Sequence, residues 1–157
     1  RKQQSEIKYS VERVKTAERL IKMAVPLIYL LPGIPCIYYG DEAGMYGAKD
    51  PFNRACYPWG NENREILELY TLFGKIRREY EVLREGGFYP LSSALGCVAF
   101  LRYSPGMKRI AVIANNNPHS ITYALNYDMR DMKCIFGGEK LDAAVFIQAN
   151  SAAVIAD

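Results

Sequence analysis

The spacing of apolar residues changes at Gly86 and Gly87, and this break sets what the chain can fold into. Ahead of it, apolar side chains recur every three or four residues, the period of a helix with one buried face. Val11, Val14, Leu20, Ile21, Ala24, Val25, Ile28 and Leu31 predict a first helix. Its start is left open, because neither Ser10 nor Thr16 is followed by a capping-box acid. Pro26 should kink that helix or shorten its last turns, and Pro32 with Gly33 should stop it. A second helix is expected over Arg64 to Leu83, with Ile66, Leu67, Leu69, Tyr70, Phe73, Ile76, Tyr80 and Leu83 on the apolar side and Arg77, Arg78 and Glu79 outward. Between the helices, Ile34 to Tyr39 is an unbroken apolar run that reads as a strand covered on both faces, as in a parallel sheet.

After the glycines the chain reads as short strands between turns: Cys97 to Tyr103, Arg109 to Ala114 and Ile121 to Leu125, then weaker ones near Met132 to Phe136, Ala144 to Ile147 and Ala152 to Ile155. That pattern predicts an antiparallel β-sandwich of about seven strands. The expected organisation is an α/β part over 1–85 and an all-β part over 86–157, with the boundary at Glu85 to Gly87.

Half of the 157 residues are apolar, enough to bury a core, and the net charge of +3 arises from 20 basic and 17 acidic residues spread along the chain. No basic stripe suited to phosphate stands out, so nucleic acid is not expected as a partner. The four cysteines, Cys36, Cys56, Cys97 and Cys134, form no CxxC pair and one histidine accompanies them, which signals neither zinc nor a disulfide framework. They read as reduced thiols of a cytoplasmic protein. Lys22 and Pro26 interrupt the longest apolar stretch, so no membrane span is expected. The polar opening RKQQSEIKYS lacks a secretion signal and reads as the interior of a longer protein.

The chemistry-bearing residues gather in Gly40 to Asn63, a long irregular loop with four glycines and two prolines. Asp41 and Glu42 invite a glycosidase reading, but neighbours on an extended backbone point to opposite sides and cannot flank one bond. They are better read as strand-end carboxylates bonded to backbone donors. Asp50 and Arg54 offer a carboxylate for vicinal hydroxyls and a guanidinium for two oxygens, a combination that suits a carbohydrate. The same pair could simply be an i,i+4 ion pair that stiffens the loop. Trp59 could stack on a sugar, although its position before a helix favours a lid over the core. Tyr38 and Tyr39 should alternate between sheet interior and helices, and His119 reads as a solvated turn residue.

The segment LPGIPCIYYGDEAGM followed by KDPFNRACYPW closely resembles the last barrel strand and following loop of the α-amylase family of glycoside hydrolases, in its neopullulanase and cyclomaltodextrinase branch. That resemblance implies that residues 1–85 are the end of a (β/α)8 TIM barrel, with helix seven before Leu31, strand eight at Ile34 to Tyr39 and helix eight from Arg64. It also implies that the all-β part is the C-terminal domain such barrels carry. The loop would then face the cleft, since barrel sites lie at the C-terminal ends of strands. Asp50 and Arg54 would hold glucose units of an α-glucan or maltooligosaccharide on the non-reducing side of the cut. The GxRxD, glutamate acid/base and NHD-like motifs of the family do not occur, so no catalytic residue is assigned and the chain alone is expected to be inactive. No cofactor and no metal site is expected. Its parent would be a retaining hydrolase, and the alternative is a non-catalytic carbohydrate-binding or oligomerisation module. A strand eight without neighbours further predicts self-association, or packing of the first 60 residues onto the sandwich.

Overall fold

The computed structural model describes residues 9–92 and 94–157, with the backbone alone at Tyr127. Residues 1–8, most of the polar opening, lie outside the described residues.

Helix α1 spans Val11–Leu30, and Ser10 does cap it: its Oγ accepts from the Arg13 N–H at 3.3 Å. The helix runs through Pro26, which is buried, to the stop expected at Pro32 and Gly33. Helix α2 spans Arg64–Glu79, with Asn63 as N-cap, and a separate turn, α3, covers Val82–Glu85. Eight strands follow among the described residues: β1 (Gly87–Pro90), β2 (Cys97–Tyr103), β3 (Ile110–Asn115), β4 (Ile121–Ala124), β5 (Lys133–Phe136), β6 (Glu139–Lys140), β7 (Ala144–Ile147) and β8 (Ser151–Ala156). The short β1 and β6 are absent from the sequence reading because neither alternates apolar and polar residues.

A five-stranded sheet has the order β1-β2-β3-β8-β5, and a three-stranded sheet the order β4-β7-β6, every pairing antiparallel. Alternation along β3 and β8 divides the interior in two. Phe100, Ile110, Val112, Ala114, Val154 and Ala156 face the helices, where Tyr29, Leu30, Phe73, Ile76 and Leu83 cover them. Ala111, Ile113, Ala153 and Ile155 face the opposite way and meet Val145, Ile147, Met129 and Met132 beneath the smaller sheet. The larger sheet is thus a middle layer between helices and second sheet, and each fully buried aliphatic side chain there contributes roughly 2 kcal/mol. One hydrophobic cluster crosses the expected boundary at Glu85 to Gly87, so the helical segment completes the sheet's second face.

Ile34 to Tyr39 is not a strand. The run is irregular, Ile34 is 94% exposed, and Tyr38 and Tyr39 are about half exposed. Pro35 lacks an N–H, and no strand among the described residues lies alongside to complete a ladder. The parallel sheet expected of this segment therefore does not form.

Two arginines anchor the chain as it leaves α1. The Arg77 guanidinium, expected to point outward, donates to the carbonyls of Tyr29 and Gly33. Arg102, 2% exposed, donates to Leu30 O at 2.9 Å, Leu83 O at 3.2 Å, Gly86 O at 2.9 Å and Gly87 O at 3.0 Å. Carbonyls at helix C-termini lack intrahelical donors and carry partial negative charge, so a buried cation is satisfied there without a carboxylate. Sequence pattern alone, a basic residue inside an apolar strand, gives no hint of this role.

Candidate functional site

The loop from Gly40 to Asn63 hangs between these anchored helices. Gly40 and Gly44 bracket a 3-10 turn, Asp41–Ala43, and both have positive φ, a conformation suited to glycine. At Gly44 a side chain would also meet the Asn63 Cβ at 2.8 Å. Asn63 closes the far end: its N–H donates to Ala43 O at 2.9 Å, and its side-chain amide donates to Glu18 Oε1 on α1 at 2.8 Å.

Asp41 and Glu42 occupy a 3-10 turn, so the extended backbone assumed for them does not exist, but the structural role expected of Glu42 does. Its carboxylate accepts from the Gly40 N–H at 3.1 Å. Burial, reinforced by the Glu42 charge, holds the Asp41 carboxyl above the usual carboxylate range. Burial, and then the charge of Asp41, also pushes the nearby Tyr70 phenol up to about 12. Sequence reading placed Tyr38 and Tyr39 in the sheet and the helix layer, yet both join the loop. The Tyr39 hydroxyl donates to Ala55 O at 3.1 Å, and the Tyr38 hydroxyl accepts from Asn53 Nδ2 at 3.2 Å.

The structure brings Asp50 and Arg54 together. Arg54 Nε lies 2.7 Å and Nη2 2.6 Å from Asp50 Oδ1, and both side chains are nearly two-thirds exposed. The i,i+4 ion pair exists, and its free edges face solvent. Trp59 is not a lid over the core: it is 80% exposed, its ring centroid 4.5 Å from that of Tyr57, which lies 6.0 Å from Tyr39. Asn53 and Tyr57 are the residues sequence reading passed over. Each sits within a quoted motif, DPFNR or YPW, but their contacts depend on how the loop doubles back.

His119 is exposed in its turn, where its carbonyl accepts from the buried Asn115 amide at 2.9 Å. Among the described residues no group of three or more His, Cys, Asp or Glu is placed to hold a metal, and all four cysteines are free, Cys36 and Cys56 exposed. No helix among them is long and apolar enough to cross a membrane.

No protein-family model matches the chain. Relatives do. The chain is 36% identical to a cyclomaltodextrinase of Thermoanaerobacter pseudethanolicus over 86% of its own length, and 33% identical to a maltogenic α-amylase of Bacillus acidopullulyticus over 79%. This chain is related to the α-amylase family, on its neopullulanase and cyclomaltodextrinase branch. It spans 24% and 22% of the lengths of those two relatives, and 6% of an amylopullulanase of Thermoanaerobacter thermohydrosulfuricus that it matches at 41% identity over 55% of itself. Its fold follows the same kinship. A debranching enzyme of Nostoc punctiforme superposes with a TM-score of 0.72 at 25% identity, over 87% of this chain and 30% of that one. A cyclomaltodextrinase gives 0.72 at 25%, over 90% and 26%. The β-rich body of this α-amylase relative resembles the C-terminal parts of such enzymes.

Proposed function

We propose that this chain is the C-terminal portion of a retaining α-glucan hydrolase acting on starch, pullulan or cyclodextrin, and that its loop forms part of the sugar cleft. Residues 1–85 correspond to the last helices and strand of a (β/α)8 barrel, and 86–157 to the β-sandwich domain behind it. Ile34 to Tyr39 takes strand form when barrel strands flank it, since among the described residues no strand lies alongside to complete its ladder. The observation that carries this reading is the Asp50–Arg54 pair, held together on an exposed, aromatic-lined loop in a chain related to cyclomaltodextrinases. Asp50 accepts from vicinal hydroxyls, and Arg54 donates to ring or hydroxyl oxygens, each through the edge turned to solvent. The catalytic carboxylates belong to the parent, so the chain alone hydrolyses nothing. Free cysteines support a reducing compartment such as the cytoplasm.

The test is a chimera in which this chain replaces the matching segment of the Thermoanaerobacter pseudethanolicus cyclomaltodextrinase. Cyclodextrin hydrolysis is expected, with KM raised about tenfold by Arg54→Ala or Asp50→Ala and kcat changed less. An active chimera whose KM ignores both substitutions overturns the assignment of the pair.

One observation favours a second property. Ile34, Ile37, Tyr38 and Tyr39 form a run of exposed apolar side chains, so the isolated chain self-associates. Light scattering that stays monomeric across a hundredfold concentration range, roughly, contradicts this.

A further inference from the structure

We propose that residues 34–38 are a docking edge for a second copy of this chain, which pairs with them as an antiparallel strand about a twofold axis at Cys36. This rests on the self-association of the isolated chain inferred above and not on the glucan reading. The stretch runs without helix, turn or bend, and none of its residues has positive φ. In an extended chain the N–H and C=O groups of alternate residues point to the same edge. Pro35 has no N–H, so the edge served by Pro35 and Ile37 is incomplete. The edge served by Ile34, Cys36 and Tyr38 keeps every donor. Among the described residues only one of its carbonyls is engaged: Tyr38 O accepts from the Asp41 N–H at 3.0 Å, and its second lone pair remains. The larger sheet offers no comparable edge, since β1 ends at Pro90 and β5 carries a bulge between Cys134 and Phe136.

Symmetry then fixes the register. In a twofold antiparallel pair one residue must face its own copy, and centring on Cys36 sets Ile34 opposite Tyr38 of the second copy and uses the whole intact edge. Centring on Pro35 or Ile37 shortens the ladder, because beyond Tyr38 the chain turns at Gly40, whose φ is +86°. The chosen register puts Ile34, Cys36 and Tyr38 on one face, with two aliphatic–aromatic cross-strand pairs, and Pro35 against Ile37 on the other. Leu31, Ile34, Ile37, Tyr38 and Tyr39 together expose roughly 600 Å² per copy, so the pair buries about 1,000 Å² in all, near the lower limit of a specific interface. A dissociation constant on the order of 100 µM follows. The edge is complementary to itself about this axis, which selects a second copy over an unrelated strand. Facing residues of a hydrogen-bonded pair have Cα atoms about 5.5 Å apart, within the span of a disulfide, and Cys36 is exposed and free. Its thiol therefore reports the register.

The full 157-residue chain carrying Cys56→Ser, which leaves Cys36 as the exposed cysteine, is treated with the azo oxidant diamide. Two thiols give their hydrogens to its N=N bond and form one S–S bond. A dimer linked Cys36 to Cys36 is expected on a non-reducing gel and by peptide mapping. It should vanish when Cys36→Ser is added, and its yield should fall at least about tenfold on a roughly hundredfold dilution. Sedimentation of the untreated chain tests the backbone donors. Cys36→Pro removes the central N–H and should weaken the dimer at least about tenfold, whereas Ile37→Pro removes one that points away and should weaken it no more than about threefold. Both positions are exposed, so the melts should match that of the unsubstituted chain, and if Cys36→Pro lowers its melt the cross-link alone decides. Equal weakening by the two prolines at unchanged melts, or the reverse order, overturns the pairing. Self-association in which diamide links other cysteines, or none, also overturns it while the self-association stands. A chain that stays monomeric at about 1 mM overturns both this pairing and the reading on which it rests.

Discussion

Strand β3, Ile110–Asn115, and the segment from Ile34 to Tyr39 are mostly apolar six-residue stretches, yet every residue of the first is buried and the second lies largely open. β3 has β2 on one side and β8 on the other, each paired in register along its length, and its side chains alternate between the helix layer and the small sheet. Ile34 to Tyr39 has none of these neighbours among the described residues. Apolar composition supplies a reason to be buried, but a strand also needs adjacent N–H and C=O groups to satisfy its own. A buried unpaired backbone group costs on the order of 1–3 kcal/mol, enough to keep an isolated run in water.

The largest break in this comparison comes from the middle of the sheet. Ile113→Ala should cost about 3 kcal/mol, seen as a lower urea midpoint at unchanged slope, because Ile113 is fully buried and its neighbours cannot close over the gap. Arg102→Met keeps much of the volume but leaves the carbonyls of Leu30, Leu83, Gly86 and Gly87 without that donor. A loss of about 2 kcal/mol is expected, with faster amide exchange in the last turn of α1 as the local sign.

Charge at the two ends of the comparison should respond to pH in opposite senses. At the end of β8, the Arg109 guanidinium holds the Asp157 carboxyl below its ordinary range, by hydrogen bonds of 2.6 to 3.1 Å. A carboxyl depressed in the folded state adds stability above its unfolded pKa, near 3.9, and loses it as pH falls through the folded value. About 1 kcal/mol should disappear on acidification below pH ~4, and Asp157→Asn should flatten that part of the urea profile. In the loop, Asp41 is raised instead, mainly by burial, so its charged form opposes folding at neutral pH and protonation relieves it. Asp41→Asn is therefore expected to be neutral or slightly stabilising at pH 7.

The smallest effect sharpens the contrast. Ile34→Ser should change the urea midpoint by less than about 0.5 kcal/mol, because the side chain is already 94% exposed, while reducing light scattering at high concentration. A destabilisation comparable with that of Ile113→Ala would show the run to be part of the core.

Much of the architecture was legible because it is periodic. The helices over Val11–Leu30 and Arg64–Glu79, and strands β2, β3, β7 and β8, stand within a residue or a turn of the positions expected from spacing. Strand β1 and the two-residue β6 escaped because they carry no pattern of their own and pair with neighbours already in place. In the candidate site, the pairing of Asp50 with Arg54 was readable from their separation of four residues. Trp59 was not, since a tryptophan before a helix looks the same in sequence whether its ring turns inward or out.

By itself the sequence determined the helical and β-rich halves, the irregular loop between the two long helices and the kinship with the α-amylase family, since these depend on local period and on residue identity. Tertiary structure decided which apolar runs are buried, that the helices and the sandwich share a core across Gly86 and Gly87, and that Arg77 and Arg102 hold helix-end carbonyls. It also left the Trp59 ring exposed, packed against Tyr57. The physical reason is that burial and hydrogen-bond satisfaction are settled by partners distant along the chain, and no local pattern records which partners are there.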